Sequence, residues 1–271
     1  MGEIRNIMEQ IKLSLRNVTH YYEAVDGSRL QALDNINLEI KKGEFVAIVG
    51  ASGCGKTTML NIMSGILKPS QGEVLLDGRP ISQGRHRIGY ISQTETLLPW
   101  RKVIDNIMLG PELDGVPKKE RYQCAKEIMA SGGLEGFERK YPFELSGGMR
   151  KRAIILRALA HDPEIIFMDE PFGPLDVFTR EALQQEILRI WNEKKLTVVY
   201  ISHDIAEAIS LADRIIVMSK RPSSVQAKIS VQLPRPRNVV EIRYEEKFIE
   251  LERKIGSMIR GTKPEVQSND K

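Results

Sequence analysis

Cysteine, aromatic residues and long apolar runs are all scarce in this sequence. Only Cys54 and Cys124 occur among 271 residues, which is too few for a disulfide framework and predicts a thiol-reducing compartment. No run of about 18 apolar residues occurs, so we expect no segment that spans a membrane by itself. Aromatic residues make up 6%, and 40 basic against 36 acidic residues leave a net charge of +4. These values favour neither a base-stacking platform nor a strongly basic surface, and we predict no nucleic-acid partner.

The sequence does contain the alternation of strand and helix patterns that is typical of an α/β fold. Short apolar runs rich in β-branched residues predict strands at residues 45–49, 165–168, 196–202 and 214–219. Such runs favour strands that are buried on both faces of a parallel sheet. A helical pattern at 178–195 separates two of them. We therefore predict a mainly parallel sheet.

The predicted α/β domain covers residues 11–238. Its first part, residues 11–49, is rich in strand patterns, and the dipeptide Asp77-Gly78 between apolar runs predicts a hairpin turn. Residues 95–160 have mostly helical patterns, so we expect them to form a helical subdomain inserted into the sheet.

A C-terminal helical extension is predicted at residues 239–271, after a linker at 233–238. Its apolar residues recur at helical spacing on one face, namely Phe248, Leu251, Ile255, Met258 and Ile259. A face of this kind either packs on its own domain or binds a regulator, and we expect the first.

Residues 50–57 match the pattern GxxxxGK[ST], directly after one predicted strand and directly before a helical segment. Glycines allow backbone N–H groups to curl around phosphate oxygens. Lys56 is expected to reach the β- and γ-phosphates of a nucleotide, and Thr57 to offer its hydroxyl to Mg²⁺. The predicted phosphate-binding residues are Gly50, Ser52, Gly53, Cys54, Gly55, Lys56, Thr57 and Thr58.

Two adjacent carboxylates, Asp169 and Glu170, follow the predicted strand at 165–168. Ligands of open α/β sheets bind where strands end. We expect Asp169 to hold Mg²⁺, directly or through water, and Glu170 to orient and deprotonate an attacking water. We assign these roles to the pair because a phosphate loop lies upstream in the sequence.

The segment Leu145-Ser146-Gly147-Gly148 precedes a helical pattern. Ser146 is suited to cap that helix, and the two glycines leave N–H groups exposed for an anion. This LSGG segment, between a GxxxxGK[ST] loop and the run IIFMDE, resembles the ATP-binding cassette (ABC) family of transport ATPases. The resemblance extends from about residue 11 to about residue 238. It implies a P-loop NTPase core with an antiparallel β subdomain, and hydrolysis of ATP with Mg²⁺ as cofactor.

The resemblance also implies roles for residues outside these motifs. Tyr22 resembles the aromatic residue that stacks on adenine, with Tyr21 as an alternative. Gln93 resembles the glutamine that contacts Mg²⁺ and the attacking water. Asp176 resembles the aspartate of the D-loop, and His203 the switch histidine that contacts the γ-phosphate.

Members of this family pair head to tail. The resemblance implies that Ser146, Gly147 and Gly148 of one copy close over the ATP held by a second copy or by a related ATPase subunit. A second helix N-terminus then adds positive potential beside the γ-phosphate.

The segments LLPWRKVIDNI, PFGPLDVFTR and LPRPR resemble the nitrate, sulfonate and taurine importers of the family. This subfamily implies separate permease subunits, an extracytoplasmic solute-binding protein, a small anionic solute and a peripheral place on the cytoplasmic face of the cell membrane. Lys151, Leu156 and Pro174 depart from the subfamily pattern. Two alternatives stay open, an exporter ATPase and a soluble cassette protein without a role in transport. The stretch at residues 97–100 is either packed internally or forms a groove for a short permease helix.

Overall fold

The computed structural model describes residues 10–84, 86–173 and 175–261. The chain divides into two compact units. Unit 1 joins the part of the chain up to Gly84 with the part from Tyr200 onward, and unit 2 is the segment Arg85–Val199 between them.

The described strands are β1 (Ile11–Glu23), β2 (Arg29–Lys41), β3 (Phe45–Val49), β4 (Gln71–Leu76), β5 (Arg79–Pro80), β6 (Ile88–Ile91), β7 (Ile165–Asp169), β8 (Val198–Ile201), β9 (Arg214–Met218) and β10 (Val225–Ser230). The described α-helices are α1 (Lys56–Met63), α2 (Val103–Ile107), α3 (Leu109–Leu113), α4 (Lys118–Ser131), α5 (Gly147–Ala160), α6 (Val177–Lys194), α7 (Ile205–Leu211) and α8 (Glu246–Arg260). Short 3₁₀ turns occur at Ile81–Gln83, Pro142–Glu144 and Glu241–Tyr244.

Unit 1 contains an antiparallel sheet with the strand order β2-β1-β4-β5. Leu15 in the central strand pairs with Leu38 on one side and with Val74 on the other. The turn between β4 and β5 has Asp77 and Gly78 at φ +49° and +75°, which is the backbone conformation that a two-residue hairpin requires. The predicted hairpin is therefore confirmed.

Parallel pairing in unit 1 joins β3 to β9, from Val46 with Arg214 to Val49 with Val217. All five residues of β3 are buried, which explains why its sequence is apolar throughout. β10 extends this pairing antiparallel to β9.

Parallel pairing in unit 2 joins β6 to β7, beginning with Ile88 opposite Ile165. β7 is buried along its whole length. Residues 95–160 contain α2 to α5 and no strand, so the helical character predicted for this segment is confirmed. The boundaries of the predicted subdomain stay a prediction, as does the domain boundary at residue 238.

Helix α8 packs on α7 and β9 within unit 1. Phe248 and Ile255 are buried, and Leu251, Met258 and Ile259 are half-buried. The amphipathic face therefore lies against its own unit, as expected. Residues 262–271 of the predicted extension, like Pro174, lie outside the described residues. No helix in the described part of the chain combines the length and apolar character that crossing a membrane requires.

Arg237, which is 3% exposed, binds the end of α7. Its Nη1 donates to the carbonyls of Ile209, at 3.0 Å, and Ala212, at 2.7 Å. Further bonds run to the carbonyls of Ser210, Val231 and Leu233. Burial, together with repulsion from Arg235, lowers the pKa of Arg237 to about 10. The guanidinium therefore stays charged at neutral pH, and these carbonyls replace its lost hydration.

Candidate active site

The predicted site residues form separate groups in unit 1 and unit 2. In unit 1, the phosphate loop connects β3 to α1. A Cβ on Gly50 would lie 2.9 Å from Cys54 Sγ and 3.2 Å from Met218 Cβ, so a larger residue there would require both neighbours to shift. Gly53 and Gly55 have φ of +72° and +104°, a conformation that glycine adopts without steric cost. The glycine pattern of the motif thus has a direct backbone reason.

Lys56 begins α1 and is buried. Its Nζ donates to the carbonyl of Gly50 at 3.0 Å and to that of Ala51 at 3.1 Å, which places the ammonium group inside the loop. Gly55, at the N-cap position, has no side chain that could accept from the first N–H groups of the helix. These groups and the positive end of the helix are available to an anion.

Tyr22 contacts the same helix through its side chain. Its hydroxyl lies 3.1 Å from Thr58 Oγ1, and its ring stands edge-on to His20 at 4.8 Å between centroids. The tyrosine side chain is 42% exposed. Neighbouring residues of a strand point to opposite faces, so Tyr21 projects away from this contact.

His203 follows β8 at the edge of unit 1 where β3 ends. The backbone N–H of Ser202 donates to the carbonyl of Ile48 at 3.2 Å, one residue before β3 ends. His203 itself is exposed. The histidine and the phosphate loop therefore leave their strands at the same edge of unit 1.

In unit 2, the structure brings together Gln93 and the carboxylate pair. Gln93 Nε2 donates to Glu170 Oε2 at 3.0 Å. Asp169 is the buried last residue of β7. Glu170 has φ +45°, a left-handed conformation that costs about 1 kcal/mol or more for a residue with a Cβ and that clusters at functional sites.

Negative charge concentrates at this end of β7. Burial, with the charge of Asp169 adding to it, raises the pKa of Tyr90 to about 12. Tyr90 therefore keeps its proton at neutral pH. The carboxylate oxygens of Asp169 and Glu170 are donors that suit a hard divalent cation. No group of three or more His, Cys, Asp or Glu side chains suited to a metal occurs among the described residues.

The remaining predicted site residues lie at the N-termini of two helices of unit 2. Ser146 Oγ accepts from the N–H of Met149 at 3.3 Å and caps α5. Asp176 Oδ1 accepts from the N–H of Thr179 at 3.0 Å and caps α6. Hydrogen bonds from Thr179 hold the pKa of Asp176 below its usual value. Gly148 lies close against Thr179, since a Cβ on residue 148 would be only 2.6 Å from Thr179 Cγ2.

Two basic residues near the site were missed by the sequence analysis. Arg221 Nη2 donates to the carbonyl of Gly53 at 2.5 Å, and Lys151 Nζ donates to the carbonyl of Gln93 at 2.9 Å. The sequence signal that could have indicated Arg221 is its position shortly after β9, the strand that pairs with β3. Lys151 was noted only as a departure from the subfamily pattern.

Comparison with known proteins identifies the class of this site. The family model described as ABC transporter matches residues 33–173. An uncharacterized ABC transporter ATP-binding protein of Methanocaldococcus jannaschii is 45% identical over 251 residues, which are 93% of this chain and 92% of that protein. An aliphatic sulfonates import ATP-binding protein of Bacillus cereus is 40% identical over 90% of this chain and 94% of its own length. A taurine import ATP-binding protein of Rhizobium johnstonii is 39% identical over 92% and 97%.

Among solved structures, a dimeric ATP-binding cassette bound to ADP and phosphate has a TM-score of 0.72 and 35% identity, covering 82% of this chain and all of that one. The chain thus has the P-loop ATPase fold of these cassettes, with parallel and antiparallel strands as predicted. It belongs to the ABC transporter family and is the ATP-binding, ATP-hydrolysing subunit of such a transporter.

Proposed function

We propose that this chain powers the import of a small anionic solute of the sulfonate or taurine type through a separate permease. The single observation that supports importer function most directly is the identity of about 40% to sulfonate and taurine import ATPases over nearly their whole length. The permease and the extracytoplasmic solute-binding protein are then separate chains. The ATPase would sit on the cytoplasmic face of the membrane through the permease.

ATP binding is assigned to the phosphate loop and Tyr22. Lys56 already lies inside the loop, and a modest turn of its side chain would exchange two carbonyls for phosphate oxygens. The N–H groups of residues 52–58 and the α1 N-terminus supply the remaining positive potential. Tyr22, whose side chain contacts Thr58, is favoured over Tyr21 as the ring that stacks on adenine.

Hydrolysis is assigned to Glu170, Gln93 and His203. The Glu170 carboxylate accepts a proton from the attacking water, and the Gln93 amide keeps the carboxylate oriented. His203 donates to the γ-phosphate. Thr57, Gln93 and Asp169 are the residues that would hold Mg²⁺, and the ion would supply positive charge to the phosphates.

Pairing with a second copy, or with a related ATPase subunit, is assigned to the exposed starts of α5 and α6. Ser146, Gly147 and Gly148 would face the γ-phosphate held by the other copy, where the positive end of α5 is attracted to it. Asp176 would lie in the same interface. ATP then holds the pair closed, and loss of the γ-phosphate opens it.

Removal of the metal tests the assigned chemistry. We expect that EDTA lowers phosphate release by the purified chain at least about 10²-fold, because the charge on the phosphates is no longer neutralised. Excess Mg²⁺ is expected to restore the rate. Phosphate release is measured with and without each addition. Undiminished hydrolysis in EDTA would contradict the assigned role of Mg²⁺.

Contact with the permease is assigned to a groove of about 300 Å³ beside Trp100. Trp100 is 72% exposed, and Tyr141 and Met108 line the groove together with charged side chains, among them Lys102 and Asp105. The Arg101–Glu112 ion pair, 2.6 Å apart, lines it as well. An exposed tryptophan beside a groove is a suitable anchor for a short helix.

We expect that Trp100→Glu abolishes uptake but leaves ATP hydrolysis by the isolated chain unchanged. The added charge would have to be desolvated when a permease helix enters the groove. Uptake of labelled taurine, an alkanesulfonate and nitrate is measured in vesicles that contain the complete transporter. The matched control is Tyr244→Glu, since Tyr244 is also an exposed aromatic residue, at 81%, and lies in unit 1. Normal uptake by the Trp100 variant would count against the groove, and transport of none of the three solutes against the proposed substrate class.

A further inference from the structure

Lys151 is an unusual residue to find in the interior of unit 2. It lies on α5 and is 2% exposed, and its Nζ donates to the Gln93 carbonyl at 2.9 Å. Burial lowers the pKa of Lys151, and the charge of Glu95 acts in the opposite direction. A buried ammonium is costly unless it is well bound. An apolar residue would fill the same space without that cost, so packing alone does not explain the lysine.

Side chains of α5 also bind the residues that follow Gln93. Arg150 Nε lies 2.9 Å from each carboxylate oxygen of Glu95. Arg157 Nη1 donates to the Thr96 carbonyl at 2.7 Å. The loop after β6 is therefore fixed to α5 at several successive positions, and Lys151 makes the contact at Gln93 itself.

The contact at Gln93 leads directly to the catalytic carboxylate. Lys151 fixes the backbone of Gln93, while the Gln93 side chain donates to Glu170 Oε2 at 3.0 Å. The amide of a glutamine can move over several ångströms when its backbone is free. Fixing the Cα limits that movement to rotation of the side chain, so the amide returns to the same place.

We propose that Lys151 is a positioning residue for ATP hydrolysis, which fixes the Gln93 backbone so that the Gln93 amide holds the Glu170 carboxylate in its working orientation. This inference rests on the roles proposed above for Gln93 and Glu170. It also links α5, which Ser146 caps, to the carboxylate. A charge-assisted bond suits the task because it is about twice as strong as a neutral one.

The main test is Lys151→Met, which keeps an unbranched side chain out to Cε and removes the Nζ donor. We expect kcat to fall about tenfold with KM for ATP changed less than about twofold, because Glu170 is misplaced while the phosphate loop is untouched. Lys151→Gln keeps an N–H donor without the charge, and we expect a loss of about threefold. An unchanged kcat in both variants would overturn the proposal.

A double-mutant cycle with Gln93→Ala separates positioning from general structural damage. If Lys151 acts through the Gln93 amide, Lys151→Met and Lys151→Gln have no further effect on kcat once that amide is gone. An equal loss of kcat with and without the Gln93 amide would refute the positioning role. Should the Met variant not fold, the Gln variant completes the same cycle.

The matched control is Lys12→Met. Lys12 is also buried, and its Nζ pairs with Asp77 at 2.5 Å in the antiparallel sheet of unit 1. We expect Lys12→Met to leave kcat unchanged, and the urea midpoint of each variant reports its stability. An inactive wild-type chain would argue against the proposed function, whereas an active wild type with an equally active Lys151→Met would argue only against this inference.

Discussion

Glu170→Gln is expected to lower the rate of ATP hydrolysis by about 10²–10⁴-fold while ATP binding is kept. The amide has nearly the shape of the carboxylate and can still accept from Gln93, which now donates at 3.0 Å. It cannot take a proton from water. The residues of the phosphate loop, which belong to unit 1, are themselves not changed. Phosphate release and equilibrium ATP binding are measured on the same preparation.

A second readout of this variant is its assembly state. Because ATP persists, we expect an ATP-dependent dimer of this variant by size-exclusion chromatography, and we expect the wild type to form such a dimer only transiently. Glu193→Gln is the control, since Glu193 is an exposed carboxylate of unit 2 that pairs with Arg189. It should turn over ATP as the wild type does. Undiminished hydrolysis by Glu170→Gln would remove this residue from the proposed role of general base.

Arg237→Met is expected to lower the free energy of unfolding by about 3 kcal/mol or more. The change leaves buried carbonyls of Ile209, Ala212 and others without their donor, and each unsatisfied buried acceptor costs about 1–3 kcal/mol. Some of this cost is offset because the buried charge is gone. Urea unfolding followed by circular dichroism gives the value.

The control for this change is Arg16→Met. Arg16 forms an exposed pair with Glu73 at 3.4 Å, and exposed pairs contribute only about 0–1 kcal/mol. We expect Arg237→Lys to be intermediate, because a single ammonium reaches fewer carbonyls than the planar guanidinium. Equal midpoints for the Arg237→Met and Arg16→Met variants would show that the carbonyl contacts add nothing to stability.

Much of the fold was predictable because its signals are local. The apolar run at 45–49 and the helical pattern at 178–195 are read over a few neighbouring residues, and β3 and α6 follow them closely. The Asp77-Gly78 turn and the phosphate loop were predictable for a similar reason, since glycine permits backbone angles that other residues avoid.

The supporting contacts could not be predicted because they join distant parts of the chain. Lys151 and Gln93 are 58 residues apart, and Arg221 and Gly53 are 168 apart. Nothing in a local pattern indicates which carbonyl a buried cation will bind. The φ of Glu170 is likewise set by its surroundings, because carboxylates rarely adopt a left-handed backbone unaided.

Unit 1 is built from an early and a late part of the chain, so it can be completed only near the end of synthesis on the ribosome. Phe45 and Asp213 are bonded across 168 residues, so β3 must wait roughly 10–30 s at usual elongation rates for β9 to emerge. The uninterrupted segment of unit 2 is complete before then. Until β9 has emerged, the five apolar residues of β3 lack their parallel pairing with β9, which leaves them open to non-native contacts.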